Sequence, residues 1–140
     1  MKKLLIITGI LFLGYKLSAQ EFDPNKYIIE SEKDIGKTQS GPHNGGGESI
    51  GYSFFNNVKD FNNVFRKRIL KSNSAIGYHT QKEDEVYYVV SGNGQMTLNG
   101  KLYNVKSGDA ILTRTGSSHG IKNIGKEDLV LIIVYEKMVK

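Results

Sequence analysis

Short apolar runs separated by polar, glycine-bearing links recur along most of the chain. They are Ile50–Phe55 (IGYSFF), Val64–Leu70 (VFRKRIL), Ala75–His79 (AIGYH), Glu85–Val90 (EVYYVV), Gln95–Leu98 (QMTL), Lys101–Val105 (KLYNV), Ala110–Thr113 (AILT), His119–Asn123 (HGIKN) and Leu129–Glu136 (LVLIIVYE). Each has the length of a strand, and none carries a 3.6-residue apolar period. The links 91–94, 99–100, 106–109, 114–118 and 124–128 each supply a glycine able to take positive φ. Asn99-Gly100 between alternating runs is a strong two-residue hairpin signal. The pattern predicts an all-β domain, either a sandwich or a barrel.

Ahead of these runs, residues 20–49 read as an extension. Lys26–Glu30 (KYIIE) is its one strand-like piece, and Gly36–Ser49 is too rich in Gly, Ser and Pro to stay regular for long. Asn57–Val64 fits a single helical turn at most. The expected organisation is therefore an extension over 20–49 and a barrel domain over 50–140. Glu85–Val90 and Leu129–Glu136 are apolar on both faces, so each expects a second layer on its outer side. A second copy of the chain or a thick sandwich would meet that need, and homodimerisation is the expectation.

The first 19 residues change the charge argument. Lys2 and Lys3, the apolar run Leu4–Leu13 and the small pair Ser18-Ala19 have the three-part layout of a secretory signal peptide cut after Ala19. Gly14 and Lys16 interrupt the run short of the roughly 20 apolar residues of a membrane span. The expected mature chain is exported, periplasmic or secreted, without a stable membrane anchor. Of the 19 Lys and Arg residues, three leave with the leader, so the net charge falls from +5 to +2 against 14 acidic residues. The basic balance is a targeting feature and gives no case for nucleic acid. The absence of cysteine removes disulfides, thiolate metal sites and cysteine nucleophiles. Any metal must be held by nitrogen and oxygen.

Two of the three histidines sit where such a site would need them. In Gly77–Gly92 (GYHTQKEDEVYYVVSG), alternation places His79 and Gln81 on one face, and Glu85 opens the next strand after a polar turn. In Gly108–Asn123 (GDAILTRTGSSHGIKN), a turn at Gly116 leads to His119 at the head of another strand. These segments resemble the two motifs of the cupin superfamily. The first motif, His-x-His, three or four residues, Glu, six residues, Gly, appears as His79, Gln81, Glu85 and Gly92. The second, Gly, five residues, Pro-x-Gly, two residues, His, three residues, Asn, appears as Gly108, Arg114, Gly116, His119 and Asn123. Glutamine replaces the second histidine of the first motif, and arginine replaces the proline of the second.

The resemblance implies a small single-domain cupin: a double-stranded β-helix or jelly-roll-like barrel holding a divalent metal ion. It implies His79, Gln81, Glu85 and His119 as the metal ligands. That donor set suits Zn, Fe or Mn, with Ni or Co as alternatives. Gln81 either lends a weak amide oxygen or stands by as a hydrogen-bonding spectator. Arg114 is either an anion grip at the rim or a solvated turn residue. Arg66 and Arg68 share one face of their strand, and parity alone leaves open whether that face is the barrel interior. His43 lies in the glycine-rich loop, which either stays apart or folds across the barrel mouth and brings the imidazole in as an acid or base. Tyr78, Tyr87 and Tyr88 are either pocket-lining residues or ordinary strand formers.

For function, the resemblance implies a metal-dependent protein of isomerase or lyase type acting on a small oxygen-rich molecule, such as a sugar acid or hydroxy acid. Arg114, Arg68 and His43 are the candidate catalytic residues. One alternative is a non-catalytic module that binds a carbohydrate or small ligand. Another is an Fe(II)-dependent dioxygenase.

Overall fold

A computed structural model of the protein describes residue 23 and residues 25–138. The expected leader lies outside the described residues. One short helix, α1 (Glu32–Ile35), precedes ten strands: β1 (Lys37–Ser40), β2 (Glu48–Phe54), β3 (Asn63–Leu70), β4 (Ala75–Thr80), β5 (Glu85–Ser91), β6 (Asn93–Leu98), β7 (Lys101–Lys106), β8 (Ala110–Thr113), β9 (Ser118–Asn123) and β10 (Leu129–Glu136). They form a six-stranded sheet, β1-β2-β3-β10-β5-β8, and a four-stranded sheet, β4-β9-β6-β7. Every pairing is antiparallel. From β3 onward the chain passes back and forth between the sheets, winding a jelly-roll barrel as expected. No helix among the described residues is long and apolar enough to cross a membrane.

All nine expected strands form. Asn99 and Gly100 take φ of +46° and +81°, the paired positive values of a tight hairpin between β6 and β7. Gly125 departs from expectation: it takes no positive φ, and its N–H donates to Asn123 Oδ1 at 2.9 Å.

Three segments outside or between the nine runs take definite form. Lys26–Glu30 pairs with no strand: it opens in a turn, with the Lys26 and Tyr27 N–H groups donating to the Asp23 carbonyl. Tyr27 and Ile28 line a shallow cavity with Phe55 and Phe61, and Glu30 accepts the Phe55 N–H at 2.7 Å. Asn57–Val64 forms turns, with Phe61 N–H donating to the Val58 carbonyl, and then enters β3. The glycine-rich segment begins with β1, turns over residues 42–45 and ends in the start of β2, so the large sheet recruits residues ahead of position 50.

Inside the barrel each strand changes character along its length. Leu70, Val89, Met96, Ile121, Leu129 and Leu131 pack one end as a dry core. Further along the same inward faces come Arg66 and Arg68 on β3, Glu85 and Tyr87 on β5, and His119 on β9. Burying the apolar end, at about 25 cal/mol per Å² removed from water, stabilises a barrel whose other end is free to be polar. The outer face of the large sheet is different. Val86, Tyr88, Val90 and Leu112 remain 39%, 44%, 44% and 53% exposed, so the described residues supply no second layer over them.

Candidate metal centre

Register sets the site. His79 on β4 and His119 on β9 are direct cross-strand partners in the small sheet. Ile76 also faces the core, yet residues three apart cannot share a face in a regular strand. A register shift between Ile76 and His79 resolves the conflict by adding a residue, so both point inward. Residues 81–84 then carry the chain across to β5, where Glu85 faces back from the large sheet.

Donor atoms of His79, Glu85 and His119 all lie within 4.8 Å of one another. The two imidazole centroids are 4.5 Å apart, and Glu85 Oε2 is 3.0 Å from His119 Nε2. Glu85 is 5% exposed and His119 fully buried, yet Glu85 Oε2 and His119 Nδ1 make no hydrogen bond. Buried donors left unpartnered cost about 1–3 kcal/mol each, more when charged. A cation drawing on this cluster would offset that cost, so the residues fit a divalent ion. His79 Nδ1 lies 2.8 Å from the Gly77 carbonyl. A proton on that nitrogen would donate to the oxygen, orient the ring and leave the Nε2 lone pair available to a cation.

The cavity over this cluster has a volume of about 230 Å³. Gln81 lines it, 9% exposed, beside Glu83. Arg66 and Arg68 line it too, which settles the direction of their shared face as inward. Burial, with help from Arg66, lowers the pKa of the Arg68 guanidinium. His43 also reaches the site. The loop is fastened along β4, with the Pro42 carbonyl accepting from Gly77 N–H at 2.9 Å and from Gly45 N–H at 3.0 Å. A Cβ on Gly77 would collide with the His43 carbonyl, so only glycine allows this approach. His43 thereby stacks on His79, with ring centroids 3.6 Å apart and planes within 5°. Burial and then His79 lower its pKa, favouring the neutral ring.

Arg114 is placed elsewhere. Its Nε pairs with Asp84 Oδ2 at 3.0 Å on an exposed turn, and it does not line the cavity over His79. Asp84 in turn accepts from the Thr115 N–H at 2.9 Å, so this link serves the turn. Asn123 is also remote from the cavity: its amide donates to the Leu70 and Glu127 carbonyls at 2.9 and 2.8 Å.

The sequence underrated Tyr87. It is 2% exposed, its hydroxyl is 3.1 Å from His119 Nε2, and burial together with Glu85 holds its pKa well above the usual phenol range. It remains a proton donor inside the site. Tyr78 and Tyr88, by contrast, point outward, 55% and 44% exposed. Tyr135, whose place depends on β10 pairing Glu85 with it, carried no sequence signal and completes the wall.

The structure thus defines a two-sheet β-barrel with an interior histidine–carboxylate cluster at its polar end. The family described as "Cupin domain" matches residues 68–135. With the barrel and both motifs in place, the chain belongs to the cupin superfamily. It is 38% identical over 72 residues to an oxalate-binding protein of Thermotoga maritima, a stretch covering 51% of this chain and 60% of the relative. It is 39% identical over 49 residues to an uncharacterized protein of Methanocaldococcus jannaschii, covering 35% of this chain and 39% of that one. The aligned stretches thus span under two thirds of either relative. Among solved structures, a predicted oxalate decarboxylase from Thermotoga maritima superposes with a TM-score of 0.70 at 28% identity, covering 80% of this chain and all of that one. The polyketide cyclase RemF from Streptomyces resistomycificus shares the fold, with a TM-score of 0.65 at 17% identity over 79% of this chain and 80% of its own.

Proposed function

We propose that the chain holds a divalent cation through His79, Glu85 and His119, with Gln81 as a weaker fourth donor, and acts there on a small oxygen-rich carboxylate. The observation that carries this reading is the convergence of three donors from two sheets on one buried point, two of their atoms lacking hydrogen-bond partners. The nitrogen and oxygen donors suit Zn, Fe or Mn, with Ni or Co also compatible. An ion there would polarise a carbonyl or carboxylate oxygen, or acidify a bound water. Arg66 and Arg68 supply positive charge to an anionic substrate in the same cavity, and Tyr87 supplies a proton donor beside His119. Arg68 and His43 thus remain the candidates for orienting substrate or moving a proton, whereas the place of Arg114 supports a turn role.

The name of the Thermotoga oxalate-binding relative supports a small carboxylate ligand and favours a second reading, capture without turnover. The two separate when metal-reconstituted and chelator-treated protein are each incubated with oxalate, tartrate and glucuronate. Binding and products are followed by calorimetry and mass analysis. Metal-dependent binding with a new product indicates an enzyme of lyase or isomerase type, and binding without product indicates a capture module. Consumption of dissolved oxygen would point to the Fe(II) dioxygenase. Failure of every carboxylate to bind in a metal-dependent way would overturn the reading.

We further infer export and homodimerisation. The leader-like first 19 residues support the first, and the uncovered face formed by Val86, Tyr88, Val90 and Leu112 supports the second. Native mass spectrometry of protein recovered from the exporting cell should give twice the mass of a chain beginning at Gln20. A monomer, or a chain retaining Met1–Ala19, would refute the corresponding half of the inference.

A further inference from the structure

A second cavity, of about 300 Å³, opens beside the first and shares only Arg68 with it. Cross-strand register builds its wall: Lys37, Gly51 and Arg68 lie side by side across β1, β2 and β3, and Gln39 lies opposite Ser49. Ser53, Asn56 and Asn57 complete the polar lining, with Asp34 at one side.

The guanidinium of Arg68 is the unusual element. Its residue is 7% exposed, yet no acidic side chain among the described residues forms an ion pair with it. Its neighbours are neutral oxygens. Nη1 donates to Ser49 Oγ at 3.3 Å, and the Gln39 amide, turned oxygen-inward, accepts from Nη2 at 3.2 Å. Nε is buried with no partner. A Cβ on Gly51 would come within 2.6 Å of Nη1, so glycine at that position is what lets the guanidinium lie across β2. Burying a cation among neutral groups is costly unless an anion joins it.

We propose that this second cavity binds a polyhydroxylated monocarboxylate, of the sugar-acid class, independently of any metal. The carboxylate pairs with Arg68 in the two-point fashion that guanidinium favours, assisted by Lys37. Lys37 and Arg68 against Asp34 leave one net positive charge, which matches a monoanion and disfavours a dianion such as phosphate. Gln39, Asn56, Asn57 and Ser53 each both donate and accept, the pairing that sugar hydroxyls require. The ligand class is shared with the reading above, on which it rests to that extent, but the site needs none of the metal ligands.

The test is calorimetric titration of the full mature chain, held in chelator, with D-gluconate and D-glucuronate. Acetate, glucose and inorganic phosphate serve as controls. One equivalent of a sugar acid should bind at least about tenfold tighter than any control, a difference of about 1.4 kcal/mol. Gly51→Ala should weaken this binding at least about tenfold by displacing the guanidinium. Lys37→Ala, on an exposed edge strand, should weaken it by a smaller factor while leaving the fold intact. Glu85→Gln should leave it unchanged. Equal binding of acetate or phosphate would overturn the proposal, as would no sugar-acid binding at about 10 mM. Loss of binding in Glu85→Gln would also overturn it, by moving the ligand to the metal pocket; the metal reading would survive that result.

Discussion

Glu85→Gln is expected to abolish metal-dependent stabilisation while leaving the metal-free barrel at least as stable as wild type. The substitution keeps shape and volume but removes the negative charge that faces His79 and His119. Loss of a residue that merely orients a metal ligand typically lowers affinity 10- to 100-fold, and loss of a charged ligand should reach about 100-fold or more. Wild type at a free metal concentration of about 100 times Kd gains about 2.7 kcal/mol. For a domain of this size that corresponds to a rise in Tm of about 10 °C. Without metal, Glu85 is a buried carboxylate with one unpartnered oxygen, so neutralising it removes a desolvation cost. Differential scanning calorimetry with and without Zn, Mn or Fe(II) reads both halves. A variant that retains the metal-induced shift would show that Glu85 is no ligand. Gln81→Ala, by comparison, is expected to lower the shift only modestly, since an amide oxygen is the weakest donor of the four.

The strands and the histidine–carboxylate cluster were legible in the sequence for one reason: both depend on local period and spacing. His79, Glu85 and His119 sit at fixed distances from turn glycines, and the hairpin pattern carries them to the interior whatever the details of packing. What stayed hidden depends on long-range pairing. The inward direction of Arg66 and Arg68 follows from β3 lying between β2 and β10, which no residue of β3 announces. The bulge before His79 carries no compositional mark. His43 could not be placed from its loop, because the loop is fixed by contacts with β4 some thirty residues later. Lys26–Glu30 has strand composition but opens in a turn on the Asp23 carbonyl and pairs with no strand, whereas the polar, fully exposed Lys37–Ser40 pairs with β2. Strand propensity reports how a segment suits a pleated surface, and the partner decides whether it joins one.

Asn123→Ala should destabilise the barrel severely and leave metal affinity of the folded protein unchanged, although the residue belongs to the same motif as His119. Three residues of β9 separate the two, and they carry Asn123 to the apolar end of the barrel, away from the cluster. There its side chain is fully buried and joins two segments through three backbone groups: the end of β3 through the Leu70 carbonyl, and the 124–128 turn through the Glu127 carbonyl and the Gly125 N–H. Alanine leaves these backbone groups without that partner, at about 1–3 kcal/mol for each that water cannot reach, and opens a small void. Only some of the three stay dry, so the expected loss is about 3–4 kcal/mol, a fall in Tm of roughly 12–16 °C. Asn123→Asp should be no better, because a carboxylate would face two carbonyl oxygens that it cannot donate to. Denaturant titration gives the stability, and metal titration well below the unfolding transition gives the affinity. If Asn123→Ala lowered metal affinity as far as Glu85→Gln does, the division of the barrel into a supporting end and a chemical end would be wrong.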